Sequence, residues 1–376
     1  MNIVAIAGST IPSDTANSIQ VMKACQALVQ LGHQLTLLVP GNPPSEVVDL
    51  KSHYGLQIDF PIEWLASSSR RLFTWQSVRR ARALKPDLLY VWFPQSAVFG
   101  LLHNLPVIFE IHIQPTGLLG PLWHRVFANL NGRKRLVSIT RALVNLLERD
   151  YNMRLKPNEI VIATNGVDLE RFASLPDPIT ARRQIGLREA PTVMCTGHLY
   201  AGRGADLFLA LAKSIPHAHF VWVGGRLEDV NTWKQRAKAE GVSNITFIGF
   251  IPNRDLPVYQ AAADILLMPY SRSIMGSSGT ADSAGVASPM KMFEYMAAGR
   301  AIVSADLPVI REVLNKSNAV FCGPDEVADW RLEIEALIGN EMHRAELGQQ
   351  ARHDVEKFSW LARERKVLDG FLDEIK

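Results

Sequence analysis

Short apolar runs alternate with longer stretches of helical period along most of this chain, and that alternation constrains the fold more than any other feature. "NIVAIAG" reads as a first strand. A loop rich in Ser, Thr, Asp and Asn, "STIPSDTANS", follows it. A helical pattern then runs from about Thr15 to Leu31, stops at Gly32 and gives way to "HQLTLLVP". Strand, loop, helix and strand in that order open a Rossmann-like unit. "LLYVWF", "PVIFEI", "RLVSIT" and "IVIATNG" extend the series. Such alternation predicts a parallel sheet covered by helices on both faces.

A proline-marked connection, "LPDPITARRQIGLREAP", begins near Leu175, and beyond it the series restarts with "TVMCTG", "HFVWVGG", "ITFIGF", "DILLMP" and "AIVSAD". With 376 residues the chain is long enough for two domains of ordinary size. The expected fold is therefore α/β, two tandem Rossmann-like doubly wound domains over residues 1–173 and 174–356. The last segment, 357–376, is an amphipathic helix with Trp360, Leu361, Val367, Leu368 and Leu372 among its apolar positions.

Composition then removes several function classes. A net charge of +3 is too small to argue for nucleic acid. It is unevenly spread: residues 1–150 carry 14 Lys and Arg against 9 Asp and Glu, largely through Arg70–Lys85 and "GRKR" at 132–135. Cys25, Cys195 and Cys322 are odd in number and far apart, which reads as buried thiols in a reducing, cytoplasmic setting without zinc spacing. The N-terminus has no basic n-region and too short an apolar run for a signal peptide. The most apolar region, Leu88–Ile113, is broken by Pro94, His103, Asn104, Pro106 and Glu110, so it is not expected to span a membrane. "GSTIPSDTANS" lacks the glycine fingerprint of a nicotinamide dehydrogenase.

In open α/β sheets ligands bind outside the carboxyl ends of the strands, and with two such domains the default site faces the cleft between them. The loop after "DILLMP" is the richest candidate. From Ser271 to Ser288, 13 of 18 residues are Gly, Ala, Ser or Thr. "SPMKMFEYMAAG" follows, with Ser288 as the expected N-cap, Pro289 at the first helical position and Gly299 as the terminator. A helix start flanked by small residues lets phosphates approach free N–H groups. Lys291 and Glu294 share one face. The lysine can neutralise phosphate, and the glutamate can accept from ribose hydroxyls. A surface loop, a capped helix and an ion pair three residues apart account for the same residues. In "GHLYAGRGADLF", Gly197, Gly202 and Gly204 keep the backbone open. Arg203 stands against the dipole of the next helix, tolerable if it reaches an anion. His112, beside Glu110, and the hydroxyl-rich loop at Ser13, Asp14 and Asn17 read either as polar ligand contacts or as a structural histidine and a helix cap. No Asp-x-Asp occurs, so no metal is expected, and Arg203, Lys291 and the helix N-terminus would carry diphosphate charge instead.

Together these motifs resemble the GT-B glycosyltransferases, and within them the retaining family 4. "SPMKMFEYMAAGRAIVSADLPVIREVL" is similar to that family's donor helix and the strand after it. "TGHLYAGRGADLFL" resembles its diphosphate loop, "TNGVDLERF" the segment closing the first domain, "PSDTANSIQVMKACQAL" the acceptor-side loop and "FEIHIQP" the interdomain histidine strand. The resemblance spans about residues 2–320 in order.

It implies a metal-independent hexosyltransferase without a cofactor, using a UDP-sugar, UDP-glucose by family frequency, to modify a hydroxyl of a glycan or lipid-linked acceptor in cell-surface polysaccharide synthesis. It also implies a closing helix that crosses back to the first domain. Glu294 would bind the ribose and Arg203 the diphosphate, beside Gly197. Ser288, Pro289 and Met290 would face phosphates and sugar, and Phe250, Ile251 and Pro252 would hold the base. His112 would lie near the transferred sugar, and Ser13, Asp14 and Asn17 on the acceptor side.

Two positions depart from the pattern. Val286 stands where a glutamate is usual and His198 where an arginine is usual; Lys291 could compensate for either. These departures leave a UDP-sugar 2-epimerase of the same fold, or a sugar-nucleotide-binding protein without turnover, as alternatives. Arg70–Lys85, with Phe73 and Trp75, adds the expectation of peripheral contact with anionic lipid at the inner face of the membrane, against the alternative of a solvated helix face.

Overall fold

A seven-stranded and a six-stranded parallel sheet organise the residues that the computed structural model describes, which are 1–46, 48–273 and 284–371. The first sheet holds β1 (Asn2–Ile6), β2 (Gln34–Pro40), β3 (Ile62–Leu65), β4 (Leu88–Val91), β5 (Val107–Ile111), β6 (Lys134–Ser138) and β7 (Ile160–Ile162), ordered β3-β2-β1-β4-β5-β6-β7. The second holds β8 (Thr192–Thr196), β9 (His219–Val223), β10 (Ile245–Gly249), β11 (Ile265–Met268), β12 (Ala301–Ala305) and β13 (Val320–Cys322), ordered β10-β9-β8-β11-β12-β13. Both are doubly wound, so the expected pair of tandem Rossmann-like domains is what the chain forms. In each sheet the order reverses beside its first strand, where α/β folds place their ligands.

The chain divides into two compact units, Met1–Asn165 with Trp360–Lys376, and Gly166–Ser359. Sequence places the divisions at 173 and 356, near the prolines and the closing apolar pattern. Among the described residues the closing helix covers Trp360–Leu368, and it packs on the helix Ala16–Gln30 within the first unit. Its Val367 and Leu368 join a core with Ile3, Ala5, Val21, Met22, Cys25 and Tyr90. Leu372 lies outside the described residues.

Helix boundaries follow local chemistry. Thr15 caps Ala16–Gln30 by accepting from Ser18 N, and Asp177 caps Pro178–Gln184 through two amides. The basic pair in "GRKR" is buried instead of solvated. Lys134 Nζ donates to the carbonyls of Phe127, Ala128 and Leu130, the last turn of the helix Gly120–Asn129 and its end. Arg135 Nη1 donates to Val367 and Asp369 O, both at 2.7 Å, and so ties down the end of the closing helix. A cation satisfying orphan carbonyls is also well placed against the helix dipole. Cys25, Cys195 and Cys322 are all free and buried.

Candidate active site

Lys291 is buried near the end of β8, and among the described residues no carboxylate balances its charge. It lies in the first turn of the helix Met290–Ala298 and is only 9% exposed. Its Nζ is 3.6 Å from Cys195 Sγ at the end of β8. It sits 5.1 Å from the ring centre of Tyr270 and 6.0 Å from that of Trp222. Aromatic faces attract a cation, but they are no substitute for a counter-charge in a dry site. Among the described residues no carboxylate pairs with Lys291. Glu294, one turn on, accepts instead from Gln260 Nε2 at 3.0 Å, so the alternative of an ion pair between the two is not what forms.

The surrounding shell is rigid. Tyr295 OH accepts from Thr196 N at 2.7 Å, locking the helix to the end of β8. Trp222 Nε1 donates to Gly197 O at 2.8 Å. Gly197 has φ +128°, and a Cβ there would stand 3.3 Å from Lys291 Nζ, so the glycine is what leaves the ammonium its room. Gly204 is more demanding still: at φ +87°, a Cβ would fall 1.8 Å from Pro269 O. This contact presses the loop 197–204 onto the segment leaving β11, where Ser271 N also donates to Gly202 O at 3.1 Å.

Arg203 lies just before the helix Ala205–Ser214, whose N-cap is Gly204. Its guanidinium is 5.6 Å from the Tyr270 ring, and Nη1 donates weakly to Tyr270 OH at 3.4 Å. Its Nε is buried without a hydrogen-bond partner among the described residues. Lys291 and Arg203 therefore both lie near the Tyr270 ring, and among the described residues neither forms an ion pair at the carboxyl ends of β8 and β11.

The helix start departs from expectation in one respect. Pro289, with φ −67° and ψ 126°, occupies the N-cap position and makes no side-chain cap hydrogen bond. Ser288 precedes it and is buried. The proline contributes its carbonyl to Met292 N at 3.1 Å. Gly299 ends the helix in the left-handed region at φ 63°, as the sequence predicts. Most of the small-residue loop, 274–283, lies outside the described residues. Val286 follows it and is 3% exposed, so an apolar side chain fills the position where the resemblance puts a glutamate.

The remaining expected donor-side residues sit around the same strand ends. His198 stacks on Tyr200 with ring centres 4.9 Å apart. Phe250, just beyond β10, is half exposed, and Ile251 and Pro252 follow it, partly covered. Met290 opens the helix that carries Lys291.

In the first unit, His112 follows β5 and its Nε2 is 2.6 Å from Glu110 Oε1. Glu110 is fully buried and also accepts from Gln20 Nε2, Tyr90 OH and Arg363 Nη2. Burial alone would raise its pKa, but Arg363 and His112 outweigh it and hold the carboxyl at about 2. The loop after β1 is used structurally in part. Ser13 N donates to Tyr54 OH at 2.7 Å, Asp14 pairs with His53 at 3.3 Å, and Ser9 Oγ donates to Asn17 Oδ1. Arg363 and Glu364 are the residues the sequence pattern misses. Both look like the polar face of an amphipathic helix and both are buried. No motif marks them.

The concavities at Lys234–Phe247 (about 330 Å³) and between Phe172 and Glu356 (about 680 Å³) share no residue with the Lys291 cluster. Neither gathers unpaired cations at strand ends, so they do not displace it as the candidate site. Among the described residues no cluster of His, Cys, Asp and Glu fits a metal, and no helix is long and apolar enough to cross a membrane.

Comparison with known proteins places both units. Residues 190–340 match the model of "Glycosyl transferases group 1", and residues 18–171 match that of "Glycosyltransferase Family 4". The chain is 23% identical over 364 residues to the alpha-galactosylglucosyldiacylglycerol synthase of Streptococcus pneumoniae, covering 94% of this chain and 84% of that protein. It is 25% identical over 368 residues to the phosphatidyl-myo-inositol mannosyltransferase of Mycolicibacterium smegmatis, covering 90% and 85%. Among solved structures, Anabaena HepE in complex with UDP and glucose superposes with a TM-score of 0.75 over 99% of both chains at 16% identity. WaaG, a glycosyltransferase involved in lipopolysaccharide biosynthesis, superposes with a TM-score of 0.66 over 98% of this chain and all of its own at 14% identity.

Proposed function

Since this chain is a glycosyltransferase of GT-B fold, related to the family 4 and group 1 enzymes, we propose that it binds a UDP-sugar on its C-terminal unit and transfers the hexose, with retention, to a hydroxyl of a glycan or lipid-linked acceptor. The observation that carries this reading is Lys291, buried and without a carboxylate partner among the described residues, near Arg203 at the strand ends of the second sheet. A diphosphate supplies the missing negative charge. As the sugar bond breaks, charge grows on the leaving phosphate oxygen, and Lys291, Arg203 and the first-turn amides of the helix Met290–Ala298 stabilise it. Glu294 is positioned by Gln260 to accept from ribose hydroxyls. Gly197, His198, Ser288, Pro289 and Met290 border the phosphates and sugar, and Phe250, Ile251 and Pro252 the base. Ser13, Asp14, Asn17 and His112 serve the acceptor and the transferred sugar from the N-terminal unit. The acceptor hydroxyl loses its proton to the leaving phosphate; among the described residues at the strand ends of the second sheet no carboxylate pair offers double displacement.

Support for uridine comes from HepE, solved with UDP and glucose. The lipid-linked acceptor is supported by the diacylglycerol and phosphatidyl-inositol in the names of the two relatives above. UDP-glucose is the first donor to test, and polysaccharide or glycolipid assembly at the cell surface the expected role. A thermal-shift panel of UDP, GDP, UDP-glucose and GDP-mannose checks the base. UDP compounds at about 100 times Kd are expected to add roughly 2.7 kcal/mol of stability by mass action. A shift with the GDP compounds alone would reassign the base.

We also propose that the helix Arg70–Ala83 docks on anionic lipid. Arg71, Arg79, Arg82 and Trp75 are exposed, and the helix carries no acidic residue. Arg79 lies 5.4 Å from the Trp75 ring centre, which keeps the cation beside the aromatic at the surface. Arg80 is engaged with Glu63 and is not counted. Co-sedimentation with vesicles containing phosphatidylglycerol is expected to exceed that with pure phosphatidylcholine, and R71E/R79E to abolish the difference. Equal binding to both vesicles would refute lipid docking through this helix.

A further inference from the structure

We propose that Glu110 and Arg363 are positioning residues: the buried carboxylate, clamped by the guanidinium of the closing helix, holds the His112 ring by Nε2 and assigns Nδ1 as the ring atom that meets substrate. This rests on the reading of His112 as a residue of the transfer step.

The geometry is specific. Glu110 Oε1 receives Gln20 Nε2, His112 Nε2 and Arg363 Nη2, each at 2.6 Å. Its Oε2 receives Tyr90 OH at 2.5 Å. Four donors converge on one carboxylate, and a carboxylate can only accept. The His112 nitrogen facing it must therefore carry hydrogen, because a bare Nε2 would set two lone pairs against each other. In the neutral ring that leaves the lone pair on Nδ1. Among the described residues Nδ1 has no hydrogen-bond partner, and the side chain is 18% exposed while the carboxylate facing Nε2 is fully buried.

Arg363 explains why the carboxylate stays charged although it is fully buried. It is buried, and it is itself fixed by Thr164 O at 2.8 Å and Ala163 O at 3.3 Å. Those carbonyls follow β7, so the closing helix is pinned to the strand end as well as to Glu110. Charge-assisted bonds of this length are about twice as strong as neutral ones. A helix carrying only apolar contacts to its sheet would not need an arginine here. Glu364 takes the other side of the same guanidinium, through Nη1, and so leaves Nη2 directed at Glu110.

Two measurements test the assignment, and the first needs no donor. Nitrogen-15 NMR of histidine-labelled protein is expected to show His112 with hydrogen on Nε2, and E110Q to show a mixture of tautomers. Hydrogen on Nδ1 in the unsubstituted protein would overturn the proposal, even if no variant folds. The second is a double-mutant cycle, read as UDP release from UDP-glucose with and without a glycolipid acceptor fraction. E110Q is expected to lower kcat by about 10² with little change in KM, less than the roughly 10⁴ cost of a wrong histidine tautomer in a serine protease. In the H112A background E110Q is expected to cost little more, because the two act as one unit. Equal losses in both backgrounds would make Glu110 merely structural and sink the proposal. An H112A variant that keeps full turnover would instead remove His112 from the transfer step, and with it the proposal's premise, while leaving the C-terminal donor site standing.

Discussion

K291A is expected to lower kcat/KM for the sugar nucleotide by about 10²–10³, the cost of removing one preorganised donor from a site of developing negative charge. R203A should cost a similar amount. The physical reason is that both cations are partly desolvated before the diphosphate arrives. Lys291 is 9% exposed, and Arg203 Nε is buried with no hydrogen-bond partner among the described residues, so less water must be stripped from them. Most of the loss should fall on kcat, because the charge they stabilise is greatest as the leaving group departs. The folded state should tolerate K291A well. Removing an ammonium that no described carboxylate balances relieves a desolvation cost, so its Tm without ligand should match or exceed that of the unsubstituted protein. Steady-state kinetics and a ligand-free melt check both halves. Near-normal turnover in both variants would mean that the diphosphate binds elsewhere.

E364Q is expected to stabilise the protein at pH 8 by about 3 kcal/mol and to do little at pH 5, on the ordinary free-energy equivalent of a pKa shift. Glu364 is fully buried beside Glu110, and one guanidinium serves both. Burial first, opposed by Arg363 but aided by the charge of Glu110, raises its pKa to about 7. The native state therefore holds this proton more tightly than the unfolded chain does. Its favourable contribution is full below the ordinary value near 4.5 and is lost as pH rises through about 7. A glutamine is neutral throughout, so the gain should grow across that window and level off above it. Urea unfolding at several pH values checks the sign. A gain that does not change with pH would place the ionisation on Glu110 or outside the cluster.

Much of the fold is legible from sequence because it follows from period and punctuation. The centres of runs such as "TVMCT" and "DILLM" are apolar without alternation because both sheet faces are covered, and Thr192–Thr196 and Ile265–Met268 become fully buried strands. The strands that escape notice, β3 and β13, lie at sheet edges. They are three or four residues long and only partly buried, so they carry too little apolar signal. The donor-side residues were legible as loops at strand ends, since a parallel sheet leaves few other places for a ligand. What those residues touch was not. Lys291 and Glu294 are three apart on one helix and read as a pair, yet one turns toward Cys195 and the other toward Gln260. Spacing fixes a shared face; rotamers and neighbouring elements decide the partner.

The sequence by itself determined the two-sheet architecture, the glycine loop and the helix that ends at Gly299. Each of these depends on backbone propensity and on apolar area, which are local or additive quantities. Tertiary structure alone decided the fate of the charges. "GRKR" reads as surface basicity, yet Lys134 and Arg135 cap buried carbonyls. Arg363 and Glu364 read as the wet side of a closing helix, yet they are sealed against Glu110. A charge in a sequence carries no mark of its eventual partner: for Arg135 and Glu110 the electrostatic gain that offsets burial comes from residues more than two hundred positions away.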